Sequence, residues 1–465
     1  MRYRIPRVVI AGLRGGSGKT TLSVSLCRAF SKGLGKRVVP FKKGPDYIDA
    51  GWLSRASGSQ CYNLDTYLLP EEIVYKSFLY HARDADLAII EGNRGVFDGV
   101  DVKGSYSTAE LAKRLSCPVV LVIDCKKVTR TVSAMLRGIV DFDPDLKIGG
   151  VILNNIAGSR HEKVIRDAIE HYTGLEVLGS IRRLENTEMI ERHMGLKPYQ
   201  EHDNVEELID ALAEQVTSSI DLNRLYEIST ATEELVTENS IELYNNEKDG
   251  LGLKLGVIRD RAFQFYYPEN IEALKARGVE IIEIDATREK DLPDIDAVYI
   301  GGGFPETNAI ELSRNSSFKS ALKGRVEKGL PVYAECGGLM YLGQEIEYKG
   351  KRYPMTGILP ISFTMLERPA AHGYTVVEVQ GETGYYDRGL QFRGHEFHYS
   401  VVKGYNQNIE FAFKMSRGKG IVKGYDGVIY KNVLATYTHV HALGVRNWVD
   451  GMIRVARGYM SGKVI

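Results

Sequence analysis

One stretch near the amino terminus constrains this chain more than any other. Ala11-Gly12-Leu13-Arg14-Gly15-Gly16-Ser17-Gly18-Lys19-Thr20-Thr21 follows the apolar run Val8-Val9-Ile10 and precedes a helical-looking segment from Leu22 to Phe30. Strand, glycine-rich turn and helix in that order make a phosphate loop. Glycines let backbone N–H groups close round a polyphosphate without Cβ clashes, and the helix N-terminus adds partial positive charge. Lys19 reaches the outer phosphates and Thr20 offers a hydroxyl to Mg²⁺. Gly15, Gly16, Ser17, Gly18, Lys19, Thr20 and Thr21 are therefore read as nucleotide-binding, with ATP or GTP as the ligand. The ordinary loop has about four residues between its first glycine and the Gly-Lys pair. Here five separate Gly12 from Gly18.

At 465 residues the chain exceeds one core of usual size, and two or three domains are expected. Its 60 basic and 60 acidic residues balance, so charge makes no case for nucleic acid or an anionic membrane as partner. The N-terminus leads straight into a strand without a signal-peptide pattern, and no apolar stretch reaches bilayer length. A cytoplasmic location is expected. Cys27, Cys61, Cys117, Cys125 and Cys336 show no paired spacing, which argues against a structural zinc site or a disulfide framework.

After the first helix a short strand, Arg37 to Phe41, leads into Lys42-Lys43-Gly44-Pro45-Asp46-Tyr47-Ile48-Asp49. At the carboxyl end of a parallel strand such a loop faces the nucleotide crevice, where lysines meet phosphates and carboxylates hold Mg²⁺ or orient a substrate. The apolar strand Leu87 to Ile90 ends in Glu91-Gly92-Asn93-Arg94-Gly95-Val96-Phe97-Asp98-Gly99, a second acidic strand end beside the loop. Further strands end at Asp124 and at Asn154-Asn155, where an amide could read a purine edge. Strands alternating with helices to about residue 180 predict an α/β fold with a doubly wound parallel sheet. The expected crevice gathers Asp46, Asp49, Glu91 and Asp98, with Thr20, Asp46 and Glu91 as the Mg²⁺ contacts and Asp49 and Asp98 orienting a substrate. Lys42 and Asn154 join the nucleotide-binding set.

An amphipathic helix from Asn204 to Ser218 closes this part. Between Glu227 and Asp249 stand seven acids against one lysine, which reads as a linker or surface segment. The expected organisation is a nucleotide-binding domain over 1–220, an acidic linker over 221–252 and a second α/β domain over 253–465. That second domain opens with the strand at Leu253 to Ile258. Its strand Pro331 to Ala334 runs into Glu335-Cys336-Gly337-Gly338-Leu339-Met340-Tyr341, the form of a nucleophile elbow. A helix N-terminus favours the thiolate, and the N–H groups of Gly302, Gly303 and Gly337 are placed to hold an oxyanion. The base comes from one of two clusters, His395 with His398 or His439 with His441. His-x-His on a strand can also be a metal pair, but no third ligand with matching spacing stands out.

Taken together these motifs resemble the cobyrinic acid a,c-diamide synthase family over nearly the whole chain. The longer phosphate loop is like that of the dethiobiotin-synthetase-like group. The carrying segments are Ala11 to Thr21, Phe41 to Asp49, Asn63-Leu64-Asp65, Glu91 to Gly99, Ala262 to Asn270, Gly301 to Glu306, Ala334 to Leu342 and Arg393 to Ser400. The resemblance implies two doubly wound domains, a P-loop NTPase-like one followed by a class I glutamine amidotransferase-like, flavodoxin-like one. It further implies a ligase that uses ATP, Mg²⁺ and glutamine to amidate a tetrapyrrole-derived polycarboxylate in cobalamin biosynthesis. By the same likeness Cys336 is the glutaminase nucleophile and His439 its base, while His441 stands where many such enzymes carry the acid of the triad. A homodimer is compatible with it. After Asp49 this chain reads Ala50-Gly51-Trp52-Leu53 where the family often has a proline and then a histidine. A related reading is nickel-sirohydrochlorin a,c-diamide synthesis for coenzyme F430. A reading of another class is a P-loop regulatory ATPase with a non-catalytic second domain, which would need neither the elbow at Cys336 nor the paired carboxylates.

Overall fold

Strands that are apolar along their whole length need cover on both faces, and the first half of the chain supplies them. The computed structural model describes residues 1–183, 191–192, 195–238, 240–406, 408–445 and 447–462. It divides into two units, Met1–Leu243 and Tyr244–Ile465. In the first unit seven strands form one sheet, in spatial order Tyr62–Leu64, Val38–Lys43, Leu87–Glu91, Arg7–Gly12, Val119–Asp124, Ile148–Ile156 and Val177–Arg182. Every pairing in it is parallel. The chain starts in the middle at Arg7–Gly12, winds toward one edge, then crosses to the other. The topological switch therefore lies beside the first strand, where open α/β sheets bind ligands.

The helices Lys19–Arg28, Ile48–Ser57, Val205–Ser219 and Leu222–Thr230 bury Leu22, Leu26, Trp52, Leu53, Leu212 and Leu225 in one core with Val8 and Ile10 of the sheet. The last of these helices corrects the expected linker over 221–252. Leu222, Leu225 and Ile228 recur at helical spacing and are buried, while the acids around them face solvent. Leu235–Val236 then pairs antiparallel with Arg2–Tyr3, and the buried Arg7 donates to the carbonyl oxygens of Leu115, Ser116 and Glu233. The first part of the acidic segment is thus built into the nucleotide-binding unit.

The second unit centres on a nine-stranded sheet in the order Glu280–Ile284, Lys254–Ile258, Ala297–Ile300, Val332–Glu335, Val433–Thr436, Tyr425–Tyr430, Glu410–Arg417, Ala371–Val379 and Gln391–His398. The first five run parallel. Beyond Val433–Thr436 the pairing is antiparallel, so this sheet is mixed. The alternating burial along Ala371–Val379 marks strands with one dry and one wet face, which suit antiparallel pairing. Two cores lie in this unit, one including Phe263, Leu322 and Phe363, the other including Tyr299, Tyr333 and Trp448. A further four-stranded sheet contains Glu345–Tyr348, Lys351–Pro354, Ile361–Met365 and Ser400–Tyr405. Among the described residues no helix is long and apolar enough to cross a membrane.

Candidate active sites

In the first unit the loop after Arg7–Gly12 is closely approached by the side chain of Asn154. Gly18 has φ 93°, and a Cβ there would lie 2.2 Å from the side-chain nitrogen of Asn154. Asn154 Nδ2 donates to Ser17 O at 3.0 Å. It also lines, with Gly18, Thr21 and Arg183, a cavity of about 200 Å³. Lys19 lies across the loop, Nζ donating to Arg14 O at 3.0 Å and Arg94 O at 2.9 Å.

At the neighbouring strand ends the charges converge. Glu91 Oε1 accepts from Thr20 Oγ1 at 2.6 Å and from Lys42 Nζ at 2.9 Å. Lys42 Nζ also meets Asp49 Oδ2 at 2.6 Å, and that oxygen lies 3.4 Å from Thr20 Oγ1. Asp46 and Asp49, alike in sequence, are separated by the start of the helix Ile48–Ser57: Asp46 Oδ1 accepts the amide N–H of Asp49 at 2.8 Å. Asp98 Oδ2 accepts from Gly95 N at 2.8 Å, and Val96 N donates to Gly12 O at 2.8 Å. This closes the Glu91–Asp98 segment over the phosphate loop. Lys19, Thr20, Lys42, Asp49 and Glu91 thus form one cluster, with Asp46 adjoining it through Asp49 and Asp98 beside Arg94 and Lys19.

Burial drives the electrostatics of this cluster. It pushes the Glu91 carboxyl up to about 7, with Lys42 opposing and Asp49 reinforcing. Burial and the neighbouring Asp49 push Asp46 up to about 6. For Lys42 burial works against the charge, but Asp49 and Glu91 outweigh it and its pKa is raised. Lys19 is lowered by burial, with Glu91 pulling the other way. Glu91 Oε2 is buried with no hydrogen-bond partner, an acceptor that suits a divalent cation. Among the described residues no three His, Cys, Asp or Glu side chains are grouped to hold a metal by themselves. Mg²⁺ commonly takes only one or two carboxylates and completes its shell with phosphates and water.

In the second unit Cys336 ends the strand Val332–Glu335 and opens the helix Gly337–Leu342, with φ 48° and ψ −99°. A non-glycine residue at positive φ on a strand-to-helix turn is the strained geometry of an elbow. Its N–H donates to Thr436 O at 2.7 Å, and burial, with Glu306, raises its thiol pKa. Two close approaches bring the glycine turn to this elbow. A Cβ on Gly337 would lie 3.0 Å from Gly303 N, and one on Gly302 would lie 2.5 Å from His439 Cε1. Cys336, Gly302, Gly303, Gly337 and His439 are thereby gathered in one place.

Of the two histidine clusters, both contribute. His395 and His439 exchange backbone hydrogen bonds and their rings stack at 4.9 Å. Burial, with His439 next, holds His395 well below the ordinary histidine range. His398 stacks on Tyr437 at 3.6 Å. His441 Nδ1 accepts from Leu443 N at 3.3 Å, and its Nε2 lies 3.6 Å from Glu269 Oε1.

Sequence reasoning gave no role to Glu335. Its Oε2 lies 3.3 Å from His439 Nδ1, its Oε1 accepts from Val440 N at 3.1 Å, and Tyr299 Oη donates to Oε2 at 3.1 Å. Asp426, likewise buried, accepts from the backbone of Tyr437 and Thr438 and the hydroxyls of Thr436 and Thr438. The available signal was a carboxylate at the end of an apolar strand, since a buried charge requires a partner.

Comparison with known proteins bears on both units. Residues 8–196 match the family model of the CobQ/CobB/MinD/ParA nucleotide binding domain, and residues 254–447 match that of the CobB/CobQ-like glutamine amidotransferase domain. A cobyrinate a,c-diamide synthase of Magnetococcus marinus is 41% identical over 98% of each chain. One of Archaeoglobus fulgidus is 40% identical over 97% of this chain and 98% of its own. One of Methanosarcina barkeri is 37% identical over 99% of this chain and 98% of its own. With a nucleotide-binding domain, a glutamine amidotransferase domain and such relatives along its full length, the chain belongs to the cobyrinate a,c-diamide synthase family of glutamine-dependent ligases that form C–N bonds.

Proposed function

We propose that the chain amidates the a and c acetate carboxylates of cobyrinic acid, using ATP to activate each as an acyl phosphate and glutamine as the nitrogen source. One observation carries the reading. A chain that matches cobyrinate a,c-diamide synthases over 98% of its length holds both a charged phosphate-loop crevice and a cysteine elbow beside a histidine. A carboxylate is a poor acyl donor, so its oxygen must become a phosphate leaving group. Free ammonia is mostly ammonium at neutral pH, so generating it from glutamine where it is used supplies the neutral nucleophile.

In the first unit the N–H groups of Gly15, Gly16, Ser17 and Gly18 cradle the phosphates, with Thr21 at the start of the helix. Lys19 and Lys42 neutralise charge that develops on the transferred group. Asn154 shapes the loop through Ser17 and contributes to the nucleoside cavity. Thr20 and Glu91 would hold Mg²⁺, with Asp46 in support, and the ion would neutralise phosphate charge. Asp49 and Asp98 orient the substrate carboxylate. In the second unit Cys336 attacks the glutamine side-chain amide, His439 takes the thiol proton and returns it to the leaving ammonia, and Gly302, Gly303 and Gly337 receive the oxyanion. Water then hydrolyses the glutamyl thioester to glutamate. The synthetase work falls to the unit Met1–Leu243 and the glutaminase work to Tyr244–Ile465.

The test is mass spectrometry of products formed by the purified chain with ATP, Mg²⁺ and glutamine, given cobyrinic acid and nickel-sirohydrochlorin in parallel. The expected result is a diamide of cobyrinic acid. Amidation of nickel-sirohydrochlorin with cobyrinic acid left untouched would overturn the substrate assignment.

A further inference from the structure

We propose that Glu335 completes the glutaminase triad, as the positioning residue that orients His439 in the place His441 was expected to fill. The proposal rests on the reading of Cys336 as nucleophile and His439 as base. It begins with strand pairing. Val332–Glu335 lies parallel to Val433–Thr436, with Glu335 opposite Thr436, so the residue before the nucleophile and the residues just after 436 leave the sheet at the same end. Three residues on, His439 turns its Nδ1 to Glu335 Oε2 at 3.3 Å, with both side chains nearly inaccessible to solvent.

The remaining acceptor capacity of Glu335 is engaged by Val440 N and Tyr299 Oη. The Val440 contact ties the carboxylate to the backbone of the residue that follows the base. Asn270 locks the same segment from the other side, donating to Val440 O at 2.8 Å and accepting from Ala442 N at 2.7 Å. His395, stacked on His439, limits rotation of the ring. His441 meanwhile has its own surroundings, with Leu443 N on Nδ1, Glu269 by Nε2 and the ring of Tyr267 at 4.5 Å.

The chemistry follows from the tautomer. A carboxylate accepts only, so His439 Nδ1 carries the proton in that hydrogen bond and Nε2 keeps its lone pair for the thiol proton of Cys336. As sulfur bonds to the glutamine Cδ, the proton moves from Sγ to Nε2. As the C–N bond breaks, that proton passes to nitrogen and ammonia leaves with the bonding pair. Across the hydrogen bond the Glu335 carboxylate stabilises the transient imidazolium, the part an orienting acid plays in a hydrolase triad.

The experiment uses the full chain and measures glutaminase kcat and KM together with ATP-dependent synthesis driven by ammonium. Glu335→Gln keeps size and hydrogen-bonding capacity but lets the wrong histidine tautomer form. It is expected to lower glutaminase kcat by about 10² to 10⁴, with the KM for glutamine and the ammonium-driven synthesis each within about threefold. Glu335→Asp, a carboxylate drawn back by one methylene, should recover at least about tenfold of the lost kcat, which a purely steric role would not do. Equal activity of the two variants, or a Gln variant as active as the unaltered chain, overturns the proposal. Should the Gln variant fail to melt cooperatively, His441→Gln decides: kcat within about threefold supports Glu335, and a loss beyond about a hundredfold gives the role to His441 and overturns it. Cys336→Ser run alongside separates the premises. If that variant retains glutamine-driven activity, the reading of the elbow fails, whereas an inactive Cys336→Ser beside an active Glu335→Gln fails the triad assignment alone.

Discussion

The two candidate sites solve opposite problems. In the first unit Lys19, Lys42, Asp49 and Glu91 crowd charge at strand ends, and Glu91 Oε2 is buried without a hydrogen-bond partner. That arrangement is costly by itself and suited to a ligand that brings phosphate and a cation. In the second unit Glu335, Asn270 and Asp426 satisfy their neighbours with hydrogen bonds already made, and Cys336 is held at a strained φ of 48°. A site that handles a highly charged ligand keeps polar capacity in reserve. A site that performs proton transfer on a neutral amide fixes its geometry in advance.

The largest effect that tests this contrast is Cys336→Ser. Serine is far harder to ionise than a thiol, so glutamine-driven synthesis should fall by about 10³ or more. Synthesis driven by high ammonium at raised pH should persist, because activation of the carboxylate does not use the thiol. Product measured with each nitrogen source in parallel checks both halves. Loss of ammonium-driven synthesis in a folded variant would break the division between units.

Next in size is Lys19→Ala, which removes one of the cations proposed to face the transferred phosphate. Synthesis with either nitrogen source should drop by about 10² to 10³, while glutamine hydrolysis survives at least in part. Equal loss of hydrolysis would show that the prepared site depends on the reserved one.

The same contrast explains what could be read in the sequence. The first sheet was legible because continuous apolar runs make buried parallel strands, and its crevice was legible because each loop carries its own signal within a few residues of Lys19, Lys42 or Glu91. Cys336 was legible on the same local terms. Glu335 was not, because its meaning lies in a partner 104 residues away, and no local pattern selects His439 over His395. The sequence set Asp46 with Thr20 and Glu91 and kept Asp49 apart, but the helix start gives Asp46 a backbone N–H to hold and places Asp49 on Lys42. The acidic segment misled through its average composition, which hid the buried face of Leu222, Leu225 and Ile228.

A smaller effect is expected at Asn154, whose amide donates to Ser17 O and lines the cavity proposed to take the nucleoside. Asn154→Ala removes one hydrogen bond in a partly buried setting, of order 1.5 kcal/mol. The KM for ATP should rise about tenfold with kcat nearly unchanged. A fall in kcat with unchanged KM would instead assign Asn154 to the chemical step.

The smallest effect, and the most direct probe of reserved capacity, is the pH dependence of stability in the ligand-free crevice. Glu91 is pushed up to about 7 from an ordinary value of 4.5. An acid whose folded pKa is raised binds more protons folded than unfolded between those limits. Its contribution to stability is therefore full at the low end and is lost as pH rises through that window. Glu91→Gln lacks this loss, and Asp46, raised in both proteins, largely cancels in the difference. The variant should melt close to the unaltered chain near pH 5 and above it near pH 8, with each kcal/mol worth roughly 2–4 °C in a unit of this size. The transition to follow is the one that ATP with Mg²⁺ shifts. Adding those ligands should reverse the order, since the carboxylate that destabilises the ligand-free crevice is the one proposed to engage the cation, and chelating the metal should restore it. A gap that stays constant from pH 5 to pH 8 would mean that Glu91 titrates as an ordinary carboxylate, and the crevice would then hold no more strain than the cysteine site.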